Sequence, residues 1–214
     1  MSKKPSKKTI ENIFSAWRAK QPNPVCELTY KSEFELLIAV MLSAQATDIS
    51  VNKVTPALFA AANTAEKMHA LGEACIIEYI KTIGLYRNKA KHIMATCSIL
   101  VSQYQGQVPN QRSALEKLPG VGRKTANVVL NTAFKQPTIA VDTHVSRVSQ
   151  RLRLAKSTSP NNIEQELYRS IPTQYQMHAH HWLILHGRYI CKARKPLCNL
   201  CEISQWCQSN DKTQ

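Results

Sequence analysis

Apolar residues recur along most of this chain at the three- and four-residue intervals of amphipathic helices, and residues that favour helix starts precede many of these runs. The segment from Asn88 to Tyr104 keeps this spacing over several turns. The run from Leu36 to Met41 is apolar on nearly every side and follows the capping sequence Ser32-Glu-Phe-Glu35. A helix with that pattern is predicted to lie buried at the centre of its domain.

The remaining periodic segments predict helices up to the C-terminal region. They are Asp48–Ala61, Glu73–Ile83, a short helix from Ser113 that ends before Pro119, Arg123–Phe134, Thr143–Leu154, Asn162–Ile171 and Gln174–Ile190. Only residues 137–141 have an extended pattern, and this segment is too short to form a β-sheet by itself. Six glycines in 214 residues and 7% aromatic residues also disfavour a β-sandwich or barrel. The sequence therefore predicts an all-α fold.

The charge balance indicates a binding partner for this helical protein. The chain has 28 Lys+Arg against 14 Asp+Glu, a formal net charge of +14 at pH 7. Such an excess is typical of proteins that bind a polyanion, either nucleic acid or an anionic membrane surface. The apolar runs are far shorter than the roughly 20 residues that span a bilayer, and no apolar segment follows the basic start Met1–Lys8. We therefore expect a solvated basic tail that contacts phosphates, no membrane span, no secretory signal and a cytoplasmic location.

Two of the six glycines lie in the sequence Leu118-Pro-Gly-Val-Gly-Arg-Lys-Thr-Ala126, where Gly120 and Gly122 flank Val121 between two predicted helices. Glycine permits a tight turn, and without a Cβ the backbone N–H groups can approach a phosphate at the positive end of the following helix. An ordinary helix–turn–helix corner has the same spacing. The net positive charge favours phosphate binding.

Lys124 follows Arg123 in the first turn of the helix predicted after this hairpin. The positive end of that helix and the neighbouring guanidinium both disfavour a second cation, and so favour the unprotonated amine. An amine in that state can attack a sugar carbon and form a Schiff base. The same position also suits a lysine that binds phosphate, and the local residues by themselves do not separate these two roles.

Cysteine placement suggests a metal centre in the C-terminal segment. The chain has seven cysteines, and an odd number argues against a complete disulfide framework. Cys26, Cys75 and Cys97 are isolated in apolar or helical contexts and are predicted to be inert core residues. The other four, separated by six, two and five residues, are Cys191, Cys198, Cys201 and Cys207. Four thiolates suit either zinc or a [4Fe–4S] cluster, although structural zinc sites tend to pair two short Cys-x2–4-Cys units and this set contains one.

Histidines are the other candidate metal ligands. His178, His180 and His181 are close together in one predicted helix, but no two of them are four residues apart and no His-Glu-x-x-His motif is present. We therefore expect these three residues, and His186 in the same helix, to cap, pack or approach backbone phosphates.

Several of these motifs, taken in order, resemble the endonuclease III branch of the helix-hairpin-helix DNA glycosylases. The likeness runs from about residue 10 to residue 207 and includes Leu42-Ser-Ala-Gln-Ala-Thr-Asp48, Ile83-Gly-Leu-Tyr86, the glycine hairpin, Val141-Asp-Thr-His144, the segment 180–188 and the four terminal cysteines. The resemblance implies two helical lobes. A six-helix domain over residues 26–135 would carry the hairpin, and residues 1–25 with 136–214 would form a domain that ends in a [4Fe–4S] cluster, with zinc as the alternative occupant.

The resemblance also implies an activity, namely base excision repair by a monomer on double-stranded DNA that contains damaged bases or abasic sites. Lys124 is the implied nucleophile: it displaces an oxidised pyrimidine and forms an imine with the deoxyribose, and β-elimination then cuts the strand on the 3′ side. The local pattern makes Asp142 the N-cap of the following helix. The resemblance adds a second role, in which this carboxylate assists departure of the base and stabilises positive charge at C1′ in a cleft between the lobes.

A base that leaves the duplex stack creates a gap that the protein has to fill. The resemblance places Gln45 and Leu85 in that role, which we call the wedge residues, although local sequence alone makes them a helix-end polar residue and a helix-stop hydrophobe. The hairpin residues 120–123 are expected to bind phosphates. Between the first two cysteines of the set, a basic loop that is either solvated or clamped on DNA contains Lys192, Arg194 and Lys195.

Three alternative functions remain at this stage. An adenine-mismatch glycosylase shares the hairpin and the cluster, but it generally lacks the nucleophilic lysine and carries an added C-terminal domain, whereas this chain has Lys124 and ends seven residues after Cys207. A pyrimidine-dimer glycosylase with lyase activity would differ in its lesion. A non-catalytic iron–sulfur module for DNA binding or redox signalling would have no need of both Lys124 and Asp142.

Overall fold

The computed structural model describes residues 4–213, which form eleven α-helices and two short 3-10 helices and contain no strand. The α-helices in chain order are α1 Lys7–Lys20, α2 Glu33–Leu42, α3 Asp48–Ala61, α4 Ala65–Leu71, α5 Glu73–Ile80, α6 Tyr86–Tyr104, α7 Arg112–Leu115, α8 Arg123–Thr132, α9 Thr143–Arg151, α10 Pro160–Ser170 and α11 Thr173–Tyr189. The 3-10 helices are Cys198–Leu200 and Ser204–Trp206. The all-α prediction is confirmed. Across the described range, none of the helices is long and apolar enough to traverse a bilayer.

Capping side chains set several of the helix starts. The Oγ atom of Ser32 accepts a hydrogen bond from the N–H of Glu35 at 3.2 Å, as the capping sequence predicts. The carboxylate of Glu35 reaches one residue further back than expected and accepts from the N–H of Lys31 at 2.6 Å. Helices α1, α3 and α4 begin with hydroxyl caps of the same kind. Residues 1–3 of the predicted basic tail lie outside the described residues, while Lys7 and Lys8 belong to α1 rather than to a tail.

The structure corrects several predicted helix boundaries. Helix α4 was not predicted because its seven residues show little periodicity; it starts after the cap Thr64 and stops at Gly72, where φ is +83°. Helix α7 begins one residue before Ser113, so this serine is not its cap. Helix α3 has its predicted bounds, with Thr47 as its cap, whereas α5, α8 and α9 end two or three residues earlier than expected.

The chain divides into two compact units, Glu27–Lys135 and Met1–Cys26 with Gln136–Gln214. The unit Glu27–Lys135 contains seven helices, α2 to α8, one more than the predicted six because of α4. Every residue from Phe34 to Leu42 in α2 is buried, and this helix packs against α3, α6 and α8. The unbroken apolar pattern of α2 therefore does mark the centre of its unit.

The other unit is built around α9 and α11, which pack against each other and against α10 and α1, respectively. Its core is rich in aromatic side chains. The ring of Phe14 in α1 meets Trp17 edge-on at 5.1 Å between centroids and stacks on Tyr175 of α11 at 5.6 Å. Ile203, which lies between the last cysteines, is fully buried in the same core. Burial of this residue anchors the irregular C-terminal segment to the helices.

The isolated cysteines do not behave alike. Cys97 is buried, as predicted, and desolvation, with a smaller contribution from the charge of Glu66, raises the pKa of its thiol to about 12. Cys75 is exposed and Cys26 is half-buried, so the prediction that all three are core residues is wrong for these two. Cys75 lies on the exposed face of α5, and Cys26 lies in the loop between α1 and α2, where an apolar neighbourhood in the sequence does not ensure burial.

Candidate functional site

The two glycines of the hairpin between α7 and α8 serve different purposes. At Gly120, φ is +78° and an added Cβ would lie 2.9 Å from the Cβ and Nδ1 atoms of His92, so both backbone and packing require glycine there. Gly122 has an ordinary φ of −91°, and a Cβ added there would meet no protein atom within 4 Å. Val121 between them is buried and anchors the turn. The space beside Gly122 is therefore available to a ligand.

Helix α8 begins directly after this turn and presents an open N-terminus. Gly122 is its N-cap, no side chain caps its first N–H groups, and its first turn contains no acidic residue. Such an end carries partial positive charge and unpaired N–H donors, which together bind anions such as phosphate. The geometry supports the predicted phosphate-binding role of the hairpin.

Lys124 lies in the first turn of α8, as the sequence predicted, and its side chain is half-buried. Every residue from Thr125 to Thr132 in this helix is buried, so the core of the unit fixes the backbone that carries the lysine. The neighbouring guanidinium of Arg123 has its Nη1 atom 3.9 Å from Oε1 of Glu116, which partly offsets its charge. The amine is thus mounted on a rigid helix at the positive end of the helix dipole.

Asp142 is the N-cap of α9, and its Oδ1 atom accepts a hydrogen bond from the N–H of Val145 at 2.8 Å. This confirms the cap predicted from the local pattern. Val141 and Val145 are both buried and hold the carboxylate in place. Among the described residues no hydrogen bond reaches Oδ2, so one oxygen caps the helix and the other is available for chemistry. Capping and catalysis can therefore coexist at this side chain.

The wedge residues occupy unusual backbone. Gln45 is exposed in the loop between α2 and α3 with φ +55°, and Leu85 immediately precedes α6 with φ +61°. Leu85 is also 56% exposed, although it is a large apolar residue. Left-handed backbone is unfavourable for residues with a side chain, and it tends to be kept where a functional position requires it. Their exposure at loop tips fits the predicted insertion into DNA.

Lys89, which sequence reasoning missed, is a buried cation in the first turns of α6. Its side chain is 7% exposed, and its Nζ atom donates a hydrogen bond to the carbonyl oxygen of Leu42 at 2.8 Å. Burial lowers the pKa of this ammonium. The sequence contains one signal for the burial of Lys89. It is four residues before Ile93 and therefore lies on the apolar face of its helix.

The four clustered cysteines line one cavity. About 370 Å³ of space there is not filled by protein atoms, part of it open to solvent. Its walls include Cys191, Cys198, Cys201 and Cys207, together with Arg151, His186, Leu152 and Ile203. Burial raises the pKa of the Cys201 thiol to about 11, although a backbone N–H from Ile203 opposes this. Thiolates in such a cavity need compensating metal charge, so the sulfur donors fit a bound metal centre.

Two arginines of α9 hold the start of the cysteine segment, and the sequence pattern did not reveal them. The guanidinium of Arg151 donates to Sγ of Cys191 at 3.3 Å, to the carbonyl of Lys192 at 2.7 Å and to that of Ala193 at 3.1 Å. Arg147 donates to the carbonyl of Cys191 at 3.1 Å. Hydrogen bonds of this kind fix a ligand and the loop that follows it.

His186 packs in the core, which is one of the roles predicted for it, and it also lies beside the cysteine cavity. It is buried against Trp17, with ring centroids 5.1 Å apart, and its Nε2 atom lies 3.8 Å from Sγ of Cys201. Its Nδ1 atom lies 3.6 Å from a carboxylate oxygen of Glu202. Burial acts to raise the pKa of Glu202, but the nearby His186 ring, a backbone N–H and the charge of Lys20 lower it to about 2. The packing part of the prediction is right, and burial at the metal cavity rules out a phosphate contact.

A second possible set of metal ligands shares Cys201 with the set of four cysteines. The ligand atoms of His186, Cys201 and Glu202 lie within 4.8 Å of one another. Among the other histidines, His180 is buried and its Nδ1 atom is hydrogen-bonded to the carbonyl of Ala140 at 2.9 Å, which fits the predicted packing role. Cys201 belongs to both sets, so one metal centre would exclude the other.

The basic loop between the first two cysteines is exposed. It contains Lys192, Arg194 and Lys195, and the backbone of Lys195 is left-handed with φ +52°. The N–H of Leu197 donates to the carbonyl of Ile190 at 3.0 Å and closes the loop at its base. Three exposed cations on a closed loop are available for phosphate contacts.

Comparisons with known proteins agree with these features. The family model of the HhH-GPD superfamily of base excision DNA repair proteins matches residues 38–173. Endonuclease III of Rickettsia conorii is 59% identical over 198 residues, which cover 92% of this chain and 94% of that protein. Endonuclease III of Escherichia coli K12 is 54% identical over 200 residues, which cover 94% of this chain and 95% of that protein.

Solved structures give the same result for the fold. A non-covalent endonuclease III–DNA complex is 46% identical and superposes with a TM-score of 0.89 over 95% of both chains. A trapped covalent endonuclease III–DNA intermediate is 45% identical, with a TM-score of 0.88 over 95% of this chain and 96% of that chain. A thermostable thymine-DNA glycosylase at 24% identity and a TM-score of 0.80 shares the fold.

Proposed function

Since this chain belongs to the endonuclease III family, within the HhH-GPD superfamily of base excision DNA repair proteins, we propose that it releases oxidised pyrimidines from duplex DNA and then cuts the strand at the resulting site. It is a DNA glycosylase with an associated lyase activity. The observation that carries this function is Lys124 in the first turn of α8, on a buried helix with an open, positively charged N-terminus. Two of the similar structures are endonuclease III–DNA complexes, one trapped covalently and one non-covalent, and they support DNA as the partner.

In the first step, the unprotonated Nζ of Lys124 attacks C1′ of the damaged nucleotide while the bond from C1′ to the base breaks. The base leaves with the electron pair of that bond and gains a proton, and positive charge builds up at C1′. The available Oδ2 of Asp142 stabilises that charge electrostatically. Opening of the sugar ring then gives an imine between Nζ and C1′.

In the second step, the imine makes the C2′ proton acidic. Removal of that proton expels the 3′ phosphate from C3′ by β-elimination, and the strand is cut on the 3′ side of the lesion. Water then hydrolyses the imine and returns the free amine of Lys124. The protein supplies proton transfer and a fixed amine, and no external oxidant or reductant is needed.

Binding of damaged DNA uses surfaces that are already built. The open end of α8 and the space beside Gly122 receive a backbone phosphate. Gln45 and Leu85 fill the gap left by the extruded nucleotide. The basic loop 192–195 adds phosphate contacts elsewhere on the duplex. We propose that the protein acts as a monomer on DNA of a cytoplasmic nucleoid; its likeness to endonuclease III of Rickettsia conorii and Escherichia coli supports that location.

We propose a [4Fe–4S] cluster as the occupant of the cysteine cavity. The four sulfur donors share one cavity, and the resemblance to endonuclease III implies this cluster, with zinc as the alternative. When bound, the cluster would cross-link the irregular segment from Cys191 to Cys207. The catalytic steps above do not pass through it. The proposed role is therefore to hold the basic loop in place.

A panel of duplexes tests the function. Each duplex carries thymine glycol, a pyrimidine dimer, an abasic site or an A·G mismatch, and each is incubated with and without borohydride. We expect release of thymine glycol, cleavage of the abasic site and borohydride trapping of both on the protein. Release of adenine from the A·G mismatch would indicate an adenine-mismatch glycosylase instead. Excision at the pyrimidine dimer in preference to thymine glycol would indicate a pyrimidine-dimer glycosylase. Binding without release of any base would leave only a DNA-binding module.

A further inference from the structure

A lysine buried without an acidic partner lies between the two loops that carry the wedge residues. The side chain of Lys89 is 7% exposed, and its Nζ atom lies 2.8 Å from the carbonyl oxygen of Leu42. Leu42 is the last residue of α2, so the ammonium is at the negative end of that helix. Among the described residues, no carboxylate forms an ion pair or hydrogen bond with Lys89.

Burial of the Lys89 ammonium does not by itself stabilise the folded protein, so another reason for a lysine at this position is needed. An ammonium loses its hydration when it is buried, and one hydrogen bond to a neutral carbonyl does not replace it fully. A methionine would fill similar space without that penalty. The hydrogen bond to Leu42 is therefore the property that distinguishes lysine from an apolar residue at this position.

Lys89 bonds the helix end that leads into the Gln45 loop and also bonds the wedge residue Leu85 itself. Its side chain bonds Leu42, three residues before Gln45, and its backbone N–H donates to the carbonyl of Leu85 at 3.0 Å. That second bond is the first of helix α6, which begins just after Leu85. One residue thus connects the end of α2, from which the loop 43–47 departs, to Leu85, the N-cap of α6.

We propose that Lys89 is a positioning residue that fixes the separation of Gln45 and Leu85, so that both enter the duplex together when a nucleotide is extruded. This inference rests on the proposed function for the role of the wedge. Both side chains are exposed on loops with left-handed backbone, so their placement depends on the loops that carry them. A tie between the loops gives the pair a rigid spacing that neither loop supplies alone.

The test substitutes Lys89→Met, which keeps the length and removes the donor, with Lys91→Met as the matched control on an exposed position of the same helix. A displacement of about 1 Å can reduce an enzymatic rate on the order of 100-fold, so release of thymine glycol should fall at least about tenfold. Cleavage of a preformed abasic site should fall much less, because no base has to leave the stack. Lys91→Met should keep the wild-type rates, and Lys89→Arg, which retains a donor, should recover much of the loss.

Two readouts separate positioning from a general structural role. A fluorescent adenine analogue beside the lesion should show weaker unstacking with Lys89→Met than with the wild type. In a double-mutant cycle, Lys89→Met should add little to the loss already caused by Leu85→Ala, because both act through the wedge. Equal losses on the lesion and the abasic site, or losses that multiply in the cycle, would overturn the proposal.

Hydrogen exchange tests the connection made by Lys89 without any measurement of enzyme activity. Amides of residues 43–47 and the first turn of α6 should exchange faster in Lys89→Met, while those of α8 stay unchanged. Unaltered exchange in both segments would refute the tie even if the variant were slow. Conversely, a wild-type protein that released no damaged base would contradict the proposed function, and the exchange data would still decide whether Lys89 joins the two loops.

Discussion

The two candidate chemical centres of this protein are held in place by different means. Lys124 lies on α8, a regular helix whose following eight residues are all buried. The cysteine segment, residues 191–207, has only two three-residue 3-10 helices, and side chains of α9 hold its start. The comparison teaches that core packing positions the amine, whereas the cysteines depend on specific polar bonds and on a metal centre.

The largest effect is expected from Lys124→Ala. Loss of the amine removes the nucleophile, so base release and borohydride trapping should both fall by at least about 10⁴-fold. The helix should persist because its buried face is untouched, so the melting temperature should change little. Gel assays of trapping and release, with Lys67→Ala in the same unit as the control, measure this. Full trapping by Lys124→Ala would contradict the assignment.

Asp142→Asn separates charge from capping. An amide oxygen can still accept from the N–H of Val145, so folding stability should remain near that of the wild type. Loss of the carboxylate charge should slow base excision by about 10²–10³-fold. Single-turnover excision and DNA affinity are measured together. If affinity fell as much as the rate, the side chain would act in binding rather than in charge stabilisation.

Cys198→Ser tests the metal-dependent region. The wild-type protein should be brown and contain iron, with sulfide, in the ratio of a [4Fe–4S] cluster. The variant should lose iron, and its segment 191–207 should become accessible to protease, while hydrogen exchange in α8 remains slow. Metal analysis and mapping of the protease cuts provide the readout. A colourless wild-type protein with stoichiometric zinc would reverse the cofactor proposal, and faster exchange in α8 would break the comparison between the two regions.

Arg151→Met removes the polar bonds that hold the cysteine segment. Its guanidinium donates to Sγ of Cys191 and to two loop carbonyls, so its removal should lower the free energy of unfolding by about 3 kcal/mol. Arg153→Met is the matched control, because the described hydrogen bond of Arg153 is a single one to the side chain of Gln208 at 2.9 Å. Denaturant unfolding of the metal-loaded proteins measures both. Equal losses in the two variants would show that removing any arginine near the end of α9, rather than the bonds from Arg151 to the segment, causes the effect.

The smallest effect concerns pH. Burial lowers the pKa of Lys89 from its ordinary value of 10.5, so the unfolded chain binds more protons than the folded one between the lowered pKa and 10.5. Folding stability attributable to this group should therefore rise as pH rises through that window. The difference between the wild type and Lys89→Met, followed by denaturant unfolding, should shift in that direction. A flat difference across the window would show that the ammonium is hydrated in the folded protein.

Much of the fold could be predicted from sequence because its signals are local. Ser32 and Asp142 cap their helices through a residue only three positions away, and the buried helix α2 shows its place in an unbroken apolar run. Helix α4 escaped prediction because seven residues are too few for a clear period. The helix start predicted at Ser113 was one residue late for a related reason, since α7 is a single turn that begins at Arg112.

The sequence by itself determined the parts of the site that depend on residue type and spacing: an amine at the start of a helix, a hairpin that needs glycine, and four thiols in one segment. Only the tertiary structure decided which side chains hold those parts. Lys89 meets Leu42 across 47 residues of chain, and Arg151 meets Cys191 across 40. No local period encodes such contacts, because they form only when separate helices pack and leave a buried carbonyl or sulfur in need of a donor.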